Sequence, residues 1–210
     1  MSLFASHLRF AVDLKEKYRI KDIQKYLSGT VYPDSRYLTG ISRELTHPLD
    51  FSTWQFDFCD DFKKGWLIHL NVDQVQEKLI REKFPQIFVG KIFYGSKAWI
   101  GHTAIKALLD LNDCRKFNIS DYLSLLEYAE NPNNEDLELI KKYNQIFIKV
   151  YHDPKNITIK NWALIWQELG VNNELIAAIV KQFKLMYQDE KVRQTVDELY
   201  FHTLTILNSL

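Results

Sequence analysis

His69 and Asp73 stand four residues apart in Gly65-Trp66-Leu67-Ile68-His69-Leu70-Asn71-Val72-Asp73. Residues at i and i+4 share a helix face, so an imidazole and a carboxylate can converge there. The stripe Phe62, Trp66, His69, Leu70, Asp73 has the character of a core-facing side. Ionisable groups on such a stripe are costly unless they are paired or bind a metal. Upstream, Asp34 and His47 lie in a segment rich in proline and aromatic residues, and His7 shares a face of the first helix with Leu3 and Ala11. Two imidazoles with two carboxylates suit Zn²⁺, with Mn²⁺ or Fe²⁺ as alternatives. A divalent ion with an open position would lower the pKa of a bound water and supply hydroxide as nucleophile. Asp34 or Asp73 could orient that water or act as base. Arg36 and Arg43 carry guanidinium groups suited to a phosphate and to charge developing on a transferring phosphoryl group. They could equally pin the loop by pairing with Glu44, Asp50 or Asp57. The plain alternative for His69 is a core histidine hydrogen-bonded to Asp73.

Helical periodicity dominates the chain that must position these groups. Apolar residues recur at helical spacing over Ser2–Tyr18, and Lys21–Ser28 reads as a second helix stopped by Gly29. Residues 30–57 have no clean period and read as a long loop with a helical turn, functional rather than disordered given Tyr32, Tyr37, Trp54 and Phe56. A long helix is expected over Asp60–Phe84, ended by Pro85. Gln86–Gly95 is the one stretch β-prone enough to hide a strand, against a helical context. Further helices are expected at about Lys97–Arg115, Ser120–Tyr128, Asn134–Tyr151, Thr158–Leu169, Asn172–Gln188 and Glu190–Ser209, with breaks at Pro132, Pro154 and Gly170. The expectation is one all-α domain over residues 1–210.

The order His7, then Gly-x-x-x-Pro-Asp ending at Asp34, then His47, then His-x-x-x-Asp at His69 and Asp73, resembles the zinc-dependent phospholipase C and S1/P1 nuclease superfamily. The resemblance covers roughly residues 1–80. It implies an all-α fold in which helices ring a metal cluster that hydrolyses phosphoesters. It also implies that Asp34, His47, His69 and Asp73 hold one zinc, and that His7 joins a second metal bridged by Asp73. Two departures follow. The family's cleaved N-terminus supplies ligands to the second metal, whereas this chain begins at Met1 with no signal sequence to remove. The family's His-x-x-x-Glu pair is missing, because His102, His152 and His202 are followed at i+4 by Lys106, Asn156 and Ile206. The ligand set is a reduced one.

The remaining sequence narrows the field. With 27 basic and 27 acidic side chains, nothing argues for general binding to nucleic acid or an anionic membrane. Two cysteines outside any CxxC pair, no apolar leader and no long apolar run point to a soluble, cytoplasmic protein with reduced thiols. Gly90–Lys97 looks like a phosphate-binding loop, but its Lys and Ser are in the wrong order and bulky residues crowd it. His102, Lys106 and Asp110 could line the cleft from the opposite side, although surface positions are the plainer reading. His152 and His202 read as structural, and Trp162, Trp166 and Leu169 as core. Tyr32, Tyr37, Trp54 and Trp66 could serve a nucleotide or a lipid. The leading expectation is a metal-dependent hydrolase of small-molecule or lipid phosphoesters. The rivals are a non-catalytic helical protein that keeps the ligand pattern and, ranked lower, a phosphohydrolase of the HD type.

Overall fold

A computed structural model describes residues 4–210. Among them are ten α-helices joined by short 3₁₀ turns, and no strand. The helices are α1 (Phe4–Leu14), α2 (Ile23–Val31), α3 (Arg36–Thr39), α4 (Arg43–Thr46), α5 (Asp61–Lys83), α6 (Lys97–Lys116), α7 (Leu137–Tyr151), α8 (Ile159–Glu168), α9 (Asn173–Gln188) and α10 (Glu190–Ser209). No described helix is long and apolar enough to cross a membrane. The expected start of the first helix at Ser2, and Leu3 on its face, lie outside the described residues.

Capping explains where several helices begin. The carboxylates of Asp22 and Asp60 accept from Lys25 N and Lys63 N, and the Ser96 hydroxyl accepts from Trp99 N. Each satisfies a backbone donor that the first turn leaves unpaired. Pro85 follows the end of α5 and opens a 3₁₀ turn, Pro85–Phe88; the residues up to Gly95 form no strand. The expected helix at Ser120–Tyr128 is a 3₁₀ segment, Ile119–Glu127.

Gly29 does not stop α2. It lies inside the helix, which runs on to Val31. A Cβ on Gly29 would meet the Phe62 carbonyl oxygen at 1.9 Å, and one on Gly65 would meet the Tyr26 carbonyl oxygen at 1.9 Å. The two glycines let the α2 and α5 backbones approach more closely than side chains would permit. α1 packs against α2, α5 and α6, α6 packs against α9, and α10 lies along α5. The core among them includes Phe4, Leu8, Phe10, Leu27, Ile68, Val72, Phe147, Trp162 and Trp166.

The segment expected to be loop, residues 30–57, is largely a chain of short turns. α2 passes into the 3₁₀ turn Tyr32–Ser35, then α3 and α4, then 3₁₀ turns at Phe51–Thr53 and Phe56–Phe58. Tyr32, Phe62, Trp66, Leu70 and Ile140 form a second apolar cluster, against which Phe51 and Trp54 pack. That cluster fixes the segment carrying Asp34 and His47 against the helix carrying His69 and Asp73.

Candidate metal centre

Four elements bring the five expected ligand residues together. α1 supplies His7, the 3₁₀ turn after α2 supplies Asp34, the end of α4 supplies His47, and α5 supplies His69 and Asp73. Ligand atoms of His7, Asp34 and His69 lie within 4.8 Å of one another, as do those of His47, His69 and Asp73. The His7 and His69 rings stack with centroids 4.0 Å apart. The resemblance assigned His7 to a metal separate from the one His69 holds; here the two imidazoles are in contact.

Hydrogen bonding fixes which nitrogen of His69 is a donor. His69 Nδ1 lies 2.9 Å from the Thr30 carbonyl oxygen. That oxygen only accepts, so Nδ1 carries the proton and Nε2 keeps its lone pair. His47 Nδ1 lies 3.0 Å from Thr46 Oγ1, whose hydroxyl donates to the Arg43 carbonyl at 3.4 Å. The Trp66 indole N–H donates to the Thr46 carbonyl at 2.8 Å, which anchors the turn below His47. The two Nε2 atoms face each other at 3.3 Å. The His69 lone pair at that distance takes either a proton carried by His47 or a cation shared with it.

The carboxylate of Asp73 completes this geometry. Its Oδ2 is 3.6 Å from His47 Nε2 and 3.7 Å from His69 Nε2. Its Oδ1 is 3.6 Å from His7 Nε2 and 3.1 Å from the ammonium of Lys106. His7 is 2% exposed, yet neither of its ring nitrogens has a hydrogen-bond partner among the described residues. Buried polar atoms in native proteins are almost always paired. Orphaned nitrogens beside a carboxylate, with two more imidazole Nε2 atoms converging, are a donor set that fits a divalent cation.

Electrostatics keep these groups in the forms that bind a cation. Burial, reinforced by His69, holds the His7 imidazole well below its ordinary pKa. Burial lowers His69 to about 4, against the opposing pull of Asp34 and Asp73. Both rings are therefore neutral near pH 7. Burial works to raise both carboxyls, but Lys106 above all holds Asp73 well below the usual carboxylate range, and His69 does the same for Asp34.

A cleft of about 520 Å³ opens over the cluster, lined by Asp34, His47 and Asp73 and by Arg36, Tyr37, Arg43, Glu77, His102 and Lys106. Arg36 lies over the Tyr37 ring, 4.2 Å from its centroid. Neither Arg36 nor Arg43 makes an ion pair among the described residues, so the loop-pinning pairs with Glu44, Asp50 or Asp57 are not formed.

The far wall of the cleft corrects the surface reading of the residues on α6. Lys106 is 8% exposed and Asp110 is fully buried, while the His102 side chain is 16% exposed. His69, Asp73 and Glu77 form one i, i+4, i+8 row on α5, and His102, Lys106 and Asp110 form another on α6. Asp73 meets Lys106, and Glu77 Oε2 meets His102 Nε2 at 2.7 Å. Asp110 points away from the cleft, accepting from Ser6 N at 3.1 Å and from the Tyr151 hydroxyl. Sequence reading missed Glu77, Thr30 and Thr46. Continuing the α5 row by four residues would have found Glu77; the two threonines leave no sequence signal.

Other expectations shift as well. Of the four aromatics proposed for a ligand, only Tyr37 lines the cleft. Tyr32 and Trp66 are buried, and Trp54 packs edge-on against Trp66. The Tyr32 hydroxyl bonds Glu135 and accepts from Asn133 Nδ2 at 2.6 Å. A phosphohydrolase of the HD type is built around an adjacent His-Asp pair; the one such pair in the sequence, His152-Asp153, is exposed at the end of α7. His152 Nδ1 there bonds the Lys149 carbonyl. No family model, no curated protein and no solved structure matches this chain.

Proposed function

We propose that this chain is a metal-dependent hydrolase of phosphoesters, built on a reduced version of the ligand set of the zinc-dependent phospholipase C and S1/P1 nuclease superfamily. The observation that carries the reading is His7, buried with both ring nitrogens unpartnered, beside two imidazole Nε2 atoms that converge to 3.3 Å next to Asp73. His7, Asp34, His47, His69 and Asp73 would hold Zn²⁺, Mn²⁺ or Fe²⁺, because mixed nitrogen and oxygen sites select poorly among these ions. When bound, such an ion supplies Lewis acidity and lowers the pKa of water to near neutrality.

The residues divide the remaining work. The Thr30 carbonyl holds the His69 proton at Nδ1, away from the cluster, and the Thr46 hydroxyl fixes the His47 ring through Nδ1. Asp34 accepts a proton from the attacking water as the water's oxygen bonds to phosphorus; the ester P–O bond breaks, and the departing oxygen leaves as the alcohol after taking a proton from Asp34 or from solvent. Arg36 and Arg43 stand at the cleft wall, where bidentate hydrogen bonds hold the non-bridging phosphoryl oxygens. Small-molecule and lipid phosphoesters both fit this chemistry.

The test begins with elemental analysis of protein that has never met a chelator. Near-stoichiometric zinc, manganese or iron is expected, lost in His69→Ala and Asp34→Ala while the helical circular dichroism persists. An empty site together with unchanged melting after added Zn²⁺ sinks the reading. A screen of phosphomonoester and phosphodiester substrates with each ion follows. Turnover abolished by Asp34→Asn supports the enzyme, and tight metal without turnover favours a non-catalytic metal protein.

A further inference from the structure

Lys106 is an unusual residue to find in a cluster of this kind. It comes from α6, 33 positions along the chain from Asp73, and inserts its ammonium 3.1 Å from Asp73 Oδ1. The side chain is 10% exposed. A buried lysine is expensive unless a carboxylate answers it, and here Asp73 does, with Glu77 one turn further along the same face of α5.

The two oxygens of Asp73 therefore face different company. Oδ2 lies beside His47 and His69, whereas Oδ1 holds Lys106 at 3.1 Å, with His7 Nε2 further off at 3.6 Å. A carboxylate that bridges two metal ions uses one oxygen for each. The two triads of donors also share His69, whose only free lone pair is on Nε2. One nitrogen lone pair binds one ion. Both observations point the same way.

We infer that Lys106 takes the place of a second cation, so that the centre holds one metal ion and draws its other positive charge from an ammonium group on α6. This rests on the metal-dependent reading above and sharpens it. Lys106 makes no hydrogen bond other than that to Asp73 among the described residues, and it lines the cleft. Its remaining N–H donors are directed to an anionic oxygen, together with Arg36 and Arg43. A phosphoester is then held between one ion and three fixed organic cations. The ammonium binds substrate without a metal's affinity for a second carboxylate or water.

Equilibrium dialysis of the full chain against Mn²⁺, followed by elemental analysis, is expected to give one ion per chain. Two ions per chain overturn the inference while leaving the metal-dependent reading intact; none at all overturns that reading itself. Lys106→Glu, which sets a carboxylate where the ammonium stood, is expected to raise the count to two, and a count that stays at one counts against the stand-in role. Lys106→Gln is expected to keep one ion and to weaken inorganic phosphate binding at least tenfold in isothermal titration. Phosphate affinity equal to that of the unmodified chain overturns the anion-binding role. Should a variant fail to fold, the count for the unmodified chain decides.

Discussion

Neighbouring residues of α1 enter two buried polar clusters that differ in how fully their polar atoms are paired. Ser6 enters a closed one. Its backbone N–H donates to Asp110 Oδ1, its hydroxyl donates to Asp113 Oδ2 at 2.5 Å, and Arg9 reaches Asp113 Oδ1 at 2.7 Å. Tyr151 donates to the second oxygen of Asp110, and the Arg9 guanidinium lies 3.4 Å from the centroid of Tyr200. All four carboxylate oxygens have a donor. His7 enters an open one, where both of its ring nitrogens lack partners and the Nε2 atoms of His47 and His69 converge beside it. A saturated network of this sort fastens helices together. An unsaturated one built around imidazoles keeps donor atoms ready for something from outside. Counting partners, beside reading residue types, is what distinguishes the two.

The difference can be broken at several points. His69→Ala should cost the most. Metal affinity is expected to fall beyond the ~10–100-fold typical of changes behind a ligand, to below detection in dialysis, with helicity retained. If metal binding survives, the open cluster is not the site. Arg9→Met is expected to act on the other side of the comparison, destabilising the fold by about 3–5 kcal/mol because Asp113 is left buried without its cation. Metal per folded chain should not change. Urea denaturation monitored beside metal analysis checks both halves, and metal loss in Arg9→Met would merge the two clusters into one.

A third prediction concerns pH. Burial raises the Asp110 carboxyl to about 7, despite the stabilising hydrogen bonds from Tyr151 and Ser6. The unfolded chain releases that proton near 3.8. The folded state thus holds the extra proton between these values, so the contribution is full below about pH 4 and is lost as pH rises through about 7. Asp110→Asn cannot titrate. Its stability relative to the unmodified chain should rise across that window, on the order of 2–4 kcal/mol in all. Parallel denaturation curves at pH 4, 5.5 and 7 test this, and a constant difference refutes it. The smallest effect is expected from Thr46→Val. It removes the partner of His47 Nδ1 and should weaken metal about tenfold without altering the melting temperature by more than a few degrees.

What could be read from the chain alone was local. The His69/Asp73 pair was legible because a helix converts a spacing of four into proximity, and the all-α architecture because apolar residues recur at helical intervals. Helix starts at Asp60 and Ser96 announce themselves through capping chemistry. The contacts that give those residues meaning span the chain. Lys106 reaches Asp73 and Glu77 reaches His102 across a gap that no periodicity encodes, so the α6 row looked like surface. Tyr32 and Trp66 looked available to a ligand because aromatic residues serve cores and clefts alike. Gly29 resembled a helix stop because glycine favours that position, and only the partner helix reveals that it marks a crossing.

That crossing has a consequence for how the centre can vary. The group that holds the His69 proton is the Thr30 main-chain carbonyl, brought to the ring where α2 passes over α5 at Gly29 and Gly65. A main-chain oxygen survives every substitution at its own position. The orientation of the central histidine is thus insulated from drift at residue 30, and its exposure to mutation is shifted onto two glycines. Neither glycine touches the ring, yet one added methyl group at either would part the helices and release it.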